Sequence, residues 1–465
     1  MFKIFLYAIL LSPIPFGANR PWAWSLYALL LALIGLIASV AILSGRASMR
    51  FSIQPVNYPL YLILIPIGWI LLQISDFAPV NWVHPFWQLA AEQLPDTVQA
   101  HISLAPQETA TALMKLGSYL LVFFISLQFN RHHENAALTF NRLAYAGFIY
   151  AIYGLVIYLG RFNTLLWFET WAPMNSVTST FVNRNSYATY AGLTLLASLP
   201  LLFEKMQSSF QYGLKNNYGR QYFFENVLVR GWFPLLMIIT ITTALFLSQS
   251  RGGFLSTALA VLTFFIILLL RREIKNNVVA YNNVAILLLM GAISLVSWGV
   301  LERSGDKLID RLNAISPESE GRLLVYDILA KANAENSWLG VGYGSFDKSF
   351  RLYRDETIMG YYDKAHNTYL ENIFELGLLQ ASALFIAIFL VALICLRGVW
   401  MRQRNWIYPA IGFSASLLVG THALVDFSLQ IPAVAFTYAL MMGAAVGQSL
   451  PTRQLTKDGV QSGTR

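Results

Sequence analysis

Long apolar runs constrain this chain more than any other feature. They fall at about 3–17, 22–43, 57–75, 110–129, 139–160, 184–203, 232–249, 253–270, 279–300, 367–396, 406–422 and 429–449. Most reach the roughly 20 residues that a helix needs to cross the hydrocarbon layer of a membrane; the first is short. No water is available in that layer, so backbone N–H and C=O groups must pair within a helix or around a closed barrel. Barrel strands alternate in polarity over about ten residues, and these runs are continuous. The pattern predicts an all-α polytopic membrane protein with about twelve transmembrane helices. Only 12% of residues are charged, against about 25% in soluble domains, and the mean hydropathy is +0.53.

Lys3 ahead of the first run resembles the start of a cleaved leader, but Pro13 and Pro15 inside it and the second run close behind favour a retained span. Cys395, the only cysteine, sits in an apolar run, so no intramolecular disulfide forms. A net charge of +8 would suit a nucleic-acid binder. In a membrane protein, basic loops report orientation instead, and no nucleic-acid partner is expected.

Of the 32 Lys and Arg, eighteen fall on one set of alternate loops, from Lys3, Arg46 and Arg50 to Arg453, Lys457 and Arg465. The other set's short loops and span ends hold five: Arg20, Lys115, Arg161, Arg184 and Arg251. The positive-inside rule therefore places both termini in the cytoplasm. The remaining nine lie in 301–365 together with eleven acids, on the outer side. The expected organisation is transmembrane helices 1–9 over 1–300, an outer loop subdomain over 301–365, helices 10–12 over 366–450, and a cytoplasmic tail over 451–465. Within the subdomain the pattern predicts a helix near Arg322–Asn333 and a turn at Gly340–Gly344. A second outer loop, 76–109, carries Trp82, Trp87 and Pro106 and is expected along the interface.

This orientation gathers the polar clusters on one face. Asn183-Arg184-Asn185 stands at the outer mouth of the sixth span, and Ser248 to Gly253 forms the tight turn between the seventh and eighth. Arg322 lies in the large outer loop, His366-Asn367 opens the tenth span, and His422 and Asp426 flank the last outer link. Arg251 lies between two apolar spans, where a guanidinium costs about 2.5–3.5 kcal/mol on insertion scales and calls for a partner. The glycines behind it allow backbone N–H groups to approach a ligand. The plainer account is a snorkelling helix-end arginine. Arg184 reads either way, and Arg322 alone would be a surface residue. Histidine titrates near neutral pH, so His366 suits proton transfer, although a lone boundary histidine is often only interfacial. Tyr369 and Leu370 share its helix face, and Glu371 and Glu375 follow one turn apart. Asp426 either orients a histidine, balances an arginine, or caps a helix.

No dense metal-ligand spacing such as H-E-x-x-H occurs, and Gly340–Gly344 lacks the Lys-Ser/Thr ending of a phosphate loop. No metal and no cofactor are expected, and a nucleotide-driven reaction has no support.

Several stretches together resemble the O-antigen ligase and O-antigen polymerase-like superfamily of bacterial polysaccharide membrane glycosyltransferases. They are Phe181 to Asn185, Ser248 to Gly253, Gly321-Arg322, Leu339 to Phe346, and His366 to Leu370 followed by Glu375-Leu376-Gly377. The resemblance runs from about 180 to 400, and the first 150 residues match in hydropathy alone. It implies a bacterial inner-membrane enzyme whose active site faces the periplasm, with 301–365 a periplasmic loop. The donor would be a glycan on undecaprenyl pyrophosphate. The acceptor would be another glycan in a polymerase, lipid A core in a ligase, or serine or threonine in a protein O-oligosaccharyltransferase. Transfer would invert the anomeric carbon without a metal, with membrane lipid and polysaccharide assembly proteins as further partners. The family's functional arginines map onto Arg251 and Arg322 and its histidine onto His366; Asn183, Arg184, Asn185, Asn367, Tyr369 and Asp426 are expected to bind substrate. Tyr326 stands where relatives often carry tryptophan. The short tail after Leu450 argues weakly against a protein acceptor. A polysaccharide transporter or flippase is the competing class. Transporters usually hold substrate near the midplane between repeated halves, and no repeat is visible here.

Overall fold

The computed structural model describes residues 1–44, 53–93, 99–170, 175–215, 220–271, 317–335, 337–356, 358 and 360–450. The expected ninth span at 279–300, the first part of the outer segment (301–316) and the tail lie outside the described residues. The helices are α1 (Phe2–Leu11), α2 (Pro21–Leu43), α3 (Asn57–Gln73), α4 (Phe86–Gln93), α5 (Pro106–Phe129), α6 (His133–Leu159), α7 (Arg184–Lys215) and α8 (Arg220–Leu247). There follow α9 (Arg251–Leu270), α10 (Pro317–Glu335), α11 (Phe346–Ser349), α12 (Thr368–Leu376), α13 (Leu378–Met401), α14 (Ile407–His422) and α15 (Pro432–Gly447). Among the described residues the only strand pairing is a two-residue antiparallel ribbon at Thr164–Leu165 and Phe168–Glu169. The protein is an all-α polytopic membrane protein. Among the described residues, six helices are long and apolar enough to cross a membrane: α2, α5, α6, Arg184–Glu204 of α7, α9 and α13.

Local chemistry sets several helix starts. Pro21, Pro106 and Pro432 occupy first positions, where the missing N–H costs nothing and φ is already helical. Pro13 and Pro15 have the opposite effect behind α1, so the apolar run 3–17 yields only a ten-residue helix. The loop expected along the interface contains α4, none of whose residues is buried.

Two helices form the centre. An 18-residue window of α7 is 94% buried, against 22% for α2, which turns Leu26, Leu29, Leu33 and Leu36 outward. All of α15 is buried. Small residues permit this close packing, as they do between helices in lipid. A Cβ at Gly147 of α6 would lie 2.3 Å from Thr194 of α7, and one at Gly443 of α15 would lie 2.4 Å from the Phe123 carbonyl of α5. Ser126 Oγ then donates to the Leu440 carbonyl at 2.6 Å, joining α5 to α15. At the other end of α15, buried Arg402 donates to Gln448 Oε1 and the Leu450 carbonyl.

The apolar run 367–396 is not one helix. It breaks at Gly377 (φ 85°) into α12 and α13. A Cβ at Gly377 would lie 2.2 Å from the Trp338 carbonyl oxygen, and one at Gly340 would lie 2.3 Å from that of Glu375. Two backbone turns cross here, and only glycine lets them touch. The carbonyls freed at the break are paired: Val341 N–H donates to Phe374, Gly342 N–H and Gln73 Nε2 to Glu375. The glycine-rich turn 340–344 is therefore a clamp on the end of α12. A small separate core of Val325, Leu329, Val341, Phe346, Phe350, Ala365 and Phe374 fastens α10 and this turn over α12.

Candidate active site

Three helices begin around one buried carboxylate. Asp426, in the turn between α14 and α15, is 1% exposed. It accepts from Asn185 Nδ2 in the first turn of α7 at 2.9 Å and from Ser428 Oγ. Its backbone carbonyl accepts from Thr368 Oγ1, the first residue of α12, at 2.9 Å. His422, one turn earlier, is 2% exposed and shares a 2.7 Å hydrogen bond with Thr189 of α7. The start of α9 packs on that histidine: a Cβ at Gly252 would lie 3.1 Å from His422 Nε2. Helix N-termini carry positive partial charge, which favours the Asp426 anion at this junction.

His366 joins the cluster by an unusual route. Its φ is 56°, a left-handed value for a residue with a side chain. Anchors on both sides hold it there. The preceding Ala365 N–H donates to Glu371 Oε2 at 2.8 Å, and Lys364 pairs with Glu371 Oε1 at 3.3 Å. The Tyr326 hydroxyl of α10 donates to the His366 carbonyl at 2.7 Å. The ring sits edge-on to Phe427, centroids 4.8 Å apart, and Nδ1 lies 3.6 Å from Asp426 Oδ1. At that distance the contact is ionic when the ring is protonated and is not a hydrogen bond. Burial pushes the Asp426 carboxyl up, but His366, His422, Ser428 and Asn185 outweigh it and hold it below the ordinary aspartate range. It is a buried anion with two imidazoles beside it.

Arg251 is the first residue of α9, behind Gln249, which also has a left-handed φ of 56°. Ser250 caps that helix by accepting from the Gly253 N–H. Arg322 lies on α10 one turn before Tyr326. Burial raises the Tyr326 phenol, the Arg322 charge lowers it and Asp426 raises it further, so both charges act on the hydroxyl that holds His366. Arg184 opens α7 beside Asn185.

Other expected site residues have structural duties. Asn183 Oδ1 accepts from the Asn185 N–H at 2.7 Å, and Asn367 Oδ1 caps α12 through the Tyr369 and Leu370 N–H groups. Tyr369 donates to the Gly420 carbonyl and packs on Phe385, serving the contact of α12 with α13 and α14. Glu375 accepts from the Phe346 N–H. Thr189, Tyr326 and Ser428 escape a reading of the sequence. Thr189 carries a weak signal, four residues after Asn185 on one helix face. Among the described residues, no three of His, Cys, Asp and Glu gather in a metal-ligand group.

Residues 235–385 match the family model described as O-antigen ligase. Over this stretch, about a third of its length, the chain is similar to the O-antigen ligase family, which supports the O-antigen ligase-like superfamily. The O-antigen ligase match contains Arg251, Arg322 and His366 and ends inside α13; Asn185 and Asp426 come from outside it. It supports a membrane glycosyltransferase of the O-antigen ligase or polymerase type. No curated protein matches the chain significantly.

Proposed function

We propose that the protein transfers a glycan from undecaprenyl pyrophosphate to an acceptor at the periplasmic face of the bacterial inner membrane. The observation that carries this reading is His366 Nδ1 at 3.6 Å from buried, ionised Asp426, where α7, α9 and α12 begin. The acceptor hydroxyl attacks the anomeric carbon as the bond to the pyrophosphate oxygen breaks. One displacement inverts that carbon. His366 takes the hydroxyl proton through Nε2, the nitrogen turned from Asp426, and Asp426 stabilises the imidazolium. The leaving pyrophosphate departs with the electron pair. Arg251 and Arg322 neutralise it in place of a metal, because a guanidinium stays charged and grips phosphate with two parallel hydrogen bonds. Arg184, opening α7, assists at the lipid phosphate. The acceptor is a second glycan or lipid A core. A transporter would hold its polar groups near the bilayer midplane, whereas these lie at helix ends.

The test uses purified protein with an undecaprenyl-pyrophosphate-linked glycan, with and without lipid A core, in EDTA, products resolved by size. His366→Ala should abolish transfer at unchanged abundance. Transfer by that variant would overturn the proton-acceptor role, and loss in EDTA restored by a divalent ion would overturn metal independence.

A further inference from the structure

A second polar niche lies beside the first, across the start of α12. It tops a slot of about 260 Å³ between α3, α5, α12, α13 and α15, whose lining includes none of His366, Asp426 or the three arginines. One face of α5 supplies a ladder of polar groups down its wall. Glu108 stands in the first turn, Lys115 two turns deeper and Tyr119 one turn below that, a spacing that returns to one helix face. Lys364 joins them from the segment before α12, within electrostatic reach of Lys115. Below the ladder the lining is apolar, with Phe123, Phe124, Val391 and Met442. From Lys115 to Phe124 the wall descends about 14 Å at about 1.5 Å per residue. That is about the depth of one leaflet of a roughly 30 Å hydrocarbon core, the reach of an ordinary acyl chain.

Three observations point to an occupant and to its headgroup. The Tyr119 hydroxyl is buried and makes no hydrogen bond, an unusual state for a polar atom unless a ligand completes it. Lys115 has, among the described residues, no carboxylate in ion-pair reach. Its amine lies 4.9 Å from the ring of Trp24, in the first turn of α2, and Glu108 and Lys364 act on it from farther off. Helical side chains lean toward the helix N-terminus, so this amine stands on the Glu108 side of its own backbone. The third observation is order. Down the slot the groups run carboxylate, amines, phenol, hydrocarbon. The other carboxylate in the lining, Glu375, is turned to the Phe346 N–H. This order is complementary to a lipid that carries a primary ammonium, then a phosphate, then a glycerol-ester carbonyl, then an acyl chain. A purely anionic headgroup would bring no cation to Glu108.

We infer that this slot seats a phosphatidylethanolamine molecule of the bilayer as a bound activator, not a substrate. Its ammonium meets Glu108, its phosphate Lys115 and Lys364, an ester carbonyl the Tyr119 hydroxyl, and one acyl chain lies along Phe123 and Val391. The seat is linked to the histidine niche. Lys364 pairs with Glu371 Oε1 at 3.3 Å, and Glu371 Oε2 accepts from the N–H of Ala365 at 2.8 Å, the residue before left-handed His366. Thr368 lines the slot and also donates to the Asp426 carbonyl. A phosphate that shares Lys364 with Glu371 steadies the backbone that presents the histidine. This last link rests on the reading that His366 serves glycan transfer.

Native mass spectrometry of the full chain tests the seat, with phosphatidylethanolamine and phosphatidylglycerol of the same acyl chains. Wild type should hold one phosphatidylethanolamine about tenfold more tightly than phosphatidylglycerol, the contribution of one charge-assisted contact. Glu108→Gln should erase that preference. Lys115→Gln with Tyr119→Phe, which removes only polar atoms, should weaken both lipids by about tenfold, and Ala387→Phe, which fills the slot, should abolish the binding. No preference in wild type, a preference that survives Glu108→Gln, binding indifferent to the slot variants, or displacement by equal undecaprenyl phosphate would overturn the inference. Transfer is then compared in phosphatidylglycerol nanodiscs with and without phosphatidylethanolamine. A gain of about fivefold with it, the effect of one hydrogen bond, and its loss in Lys115→Gln support activation. Equal transfer in both mixtures with binding intact overturns the link to His366. No transfer in either mixture defeats the transfer reading and leaves the lipid seat to the binding data.

Discussion

Replacing Asp426 with asparagine isolates the charge that faces His366. The side chain keeps its size, and its oxygen still accepts from Asn185. What disappears is a unit negative charge 3.6 Å from Nδ1, in a pair whose members are 1% and 19% exposed, and with it the oxygen that accepts from Ser428, whose hydroxyl turns to accept from the new amide. At an effective dielectric of about 20, that charge is worth roughly 4–5 kcal/mol to an imidazolium. Neighbouring dipoles and water recover part of it, and a net loss of about 2–4 kcal/mol in the transition state lowers the rate about 30- to 1000-fold. Single-turnover transfer at saturating lipid-linked donor reads this directly, and equal abundance and detergent melting temperature near neutral pH control for folding. The variant has a second signature. Folding depresses the Asp426 carboxyl, so its ionised form stabilises the protein fully above about pH 4, and this is lost as pH falls through the lower folded value. Any melting advantage of wild type over Asp426→Asn should therefore shrink below about pH 4. Transfer within about threefold of wild type, near 0.6 kcal/mol, would refute the charge argument.

Three further changes probe other links. Arg251→Lys keeps the charge but loses the two-pronged grip on phosphate and should cost roughly 10- to 100-fold in transfer; a near wild-type rate would leave Arg251 a structural helix-end residue. Tyr326→Phe deletes the 2.7 Å hydrogen bond to the His366 carbonyl, about 1 kcal/mol or roughly fivefold in rate if that bond sets the histidine's backbone; the readout is transfer at unchanged donor binding. Gly377→Ala meets the Trp338 carbonyl at 2.2 Å with φ at 85° and should cost about 3 kcal/mol or more in stability, whereas Gly68→Ala, with nothing within 4 Å, should be neutral or stabilising; melting of the two purified variants compares them.

The sequence by itself determined the class of the protein, because hydropathy accumulates along the chain and needs no knowledge of neighbours. The runs at 22–43, 110–129, 139–160 and 253–270 become α2, α5, α6 and α9 within a few residues. Gly321-Arg322, the 340–344 turn and His366-Asn367 were legible as motifs, as was the superfamily. Their geometry was not. The break at Gly377 hides in an apolar run because the cause is another strand of backbone, the Trp338–Gly340 turn, crossing it. Asn367, expected at the substrate, also caps α12, a duty that needed the helix boundary, and Glu371, whose role was open, anchors the residue before His366. His366 and Asp426 stand sixty positions apart in the chain. Only the packing of α7, α12 and α14 brings them to 3.6 Å. Contacts of that kind depend on how helix faces fit together, a pairwise property of distant segments that no local pattern encodes.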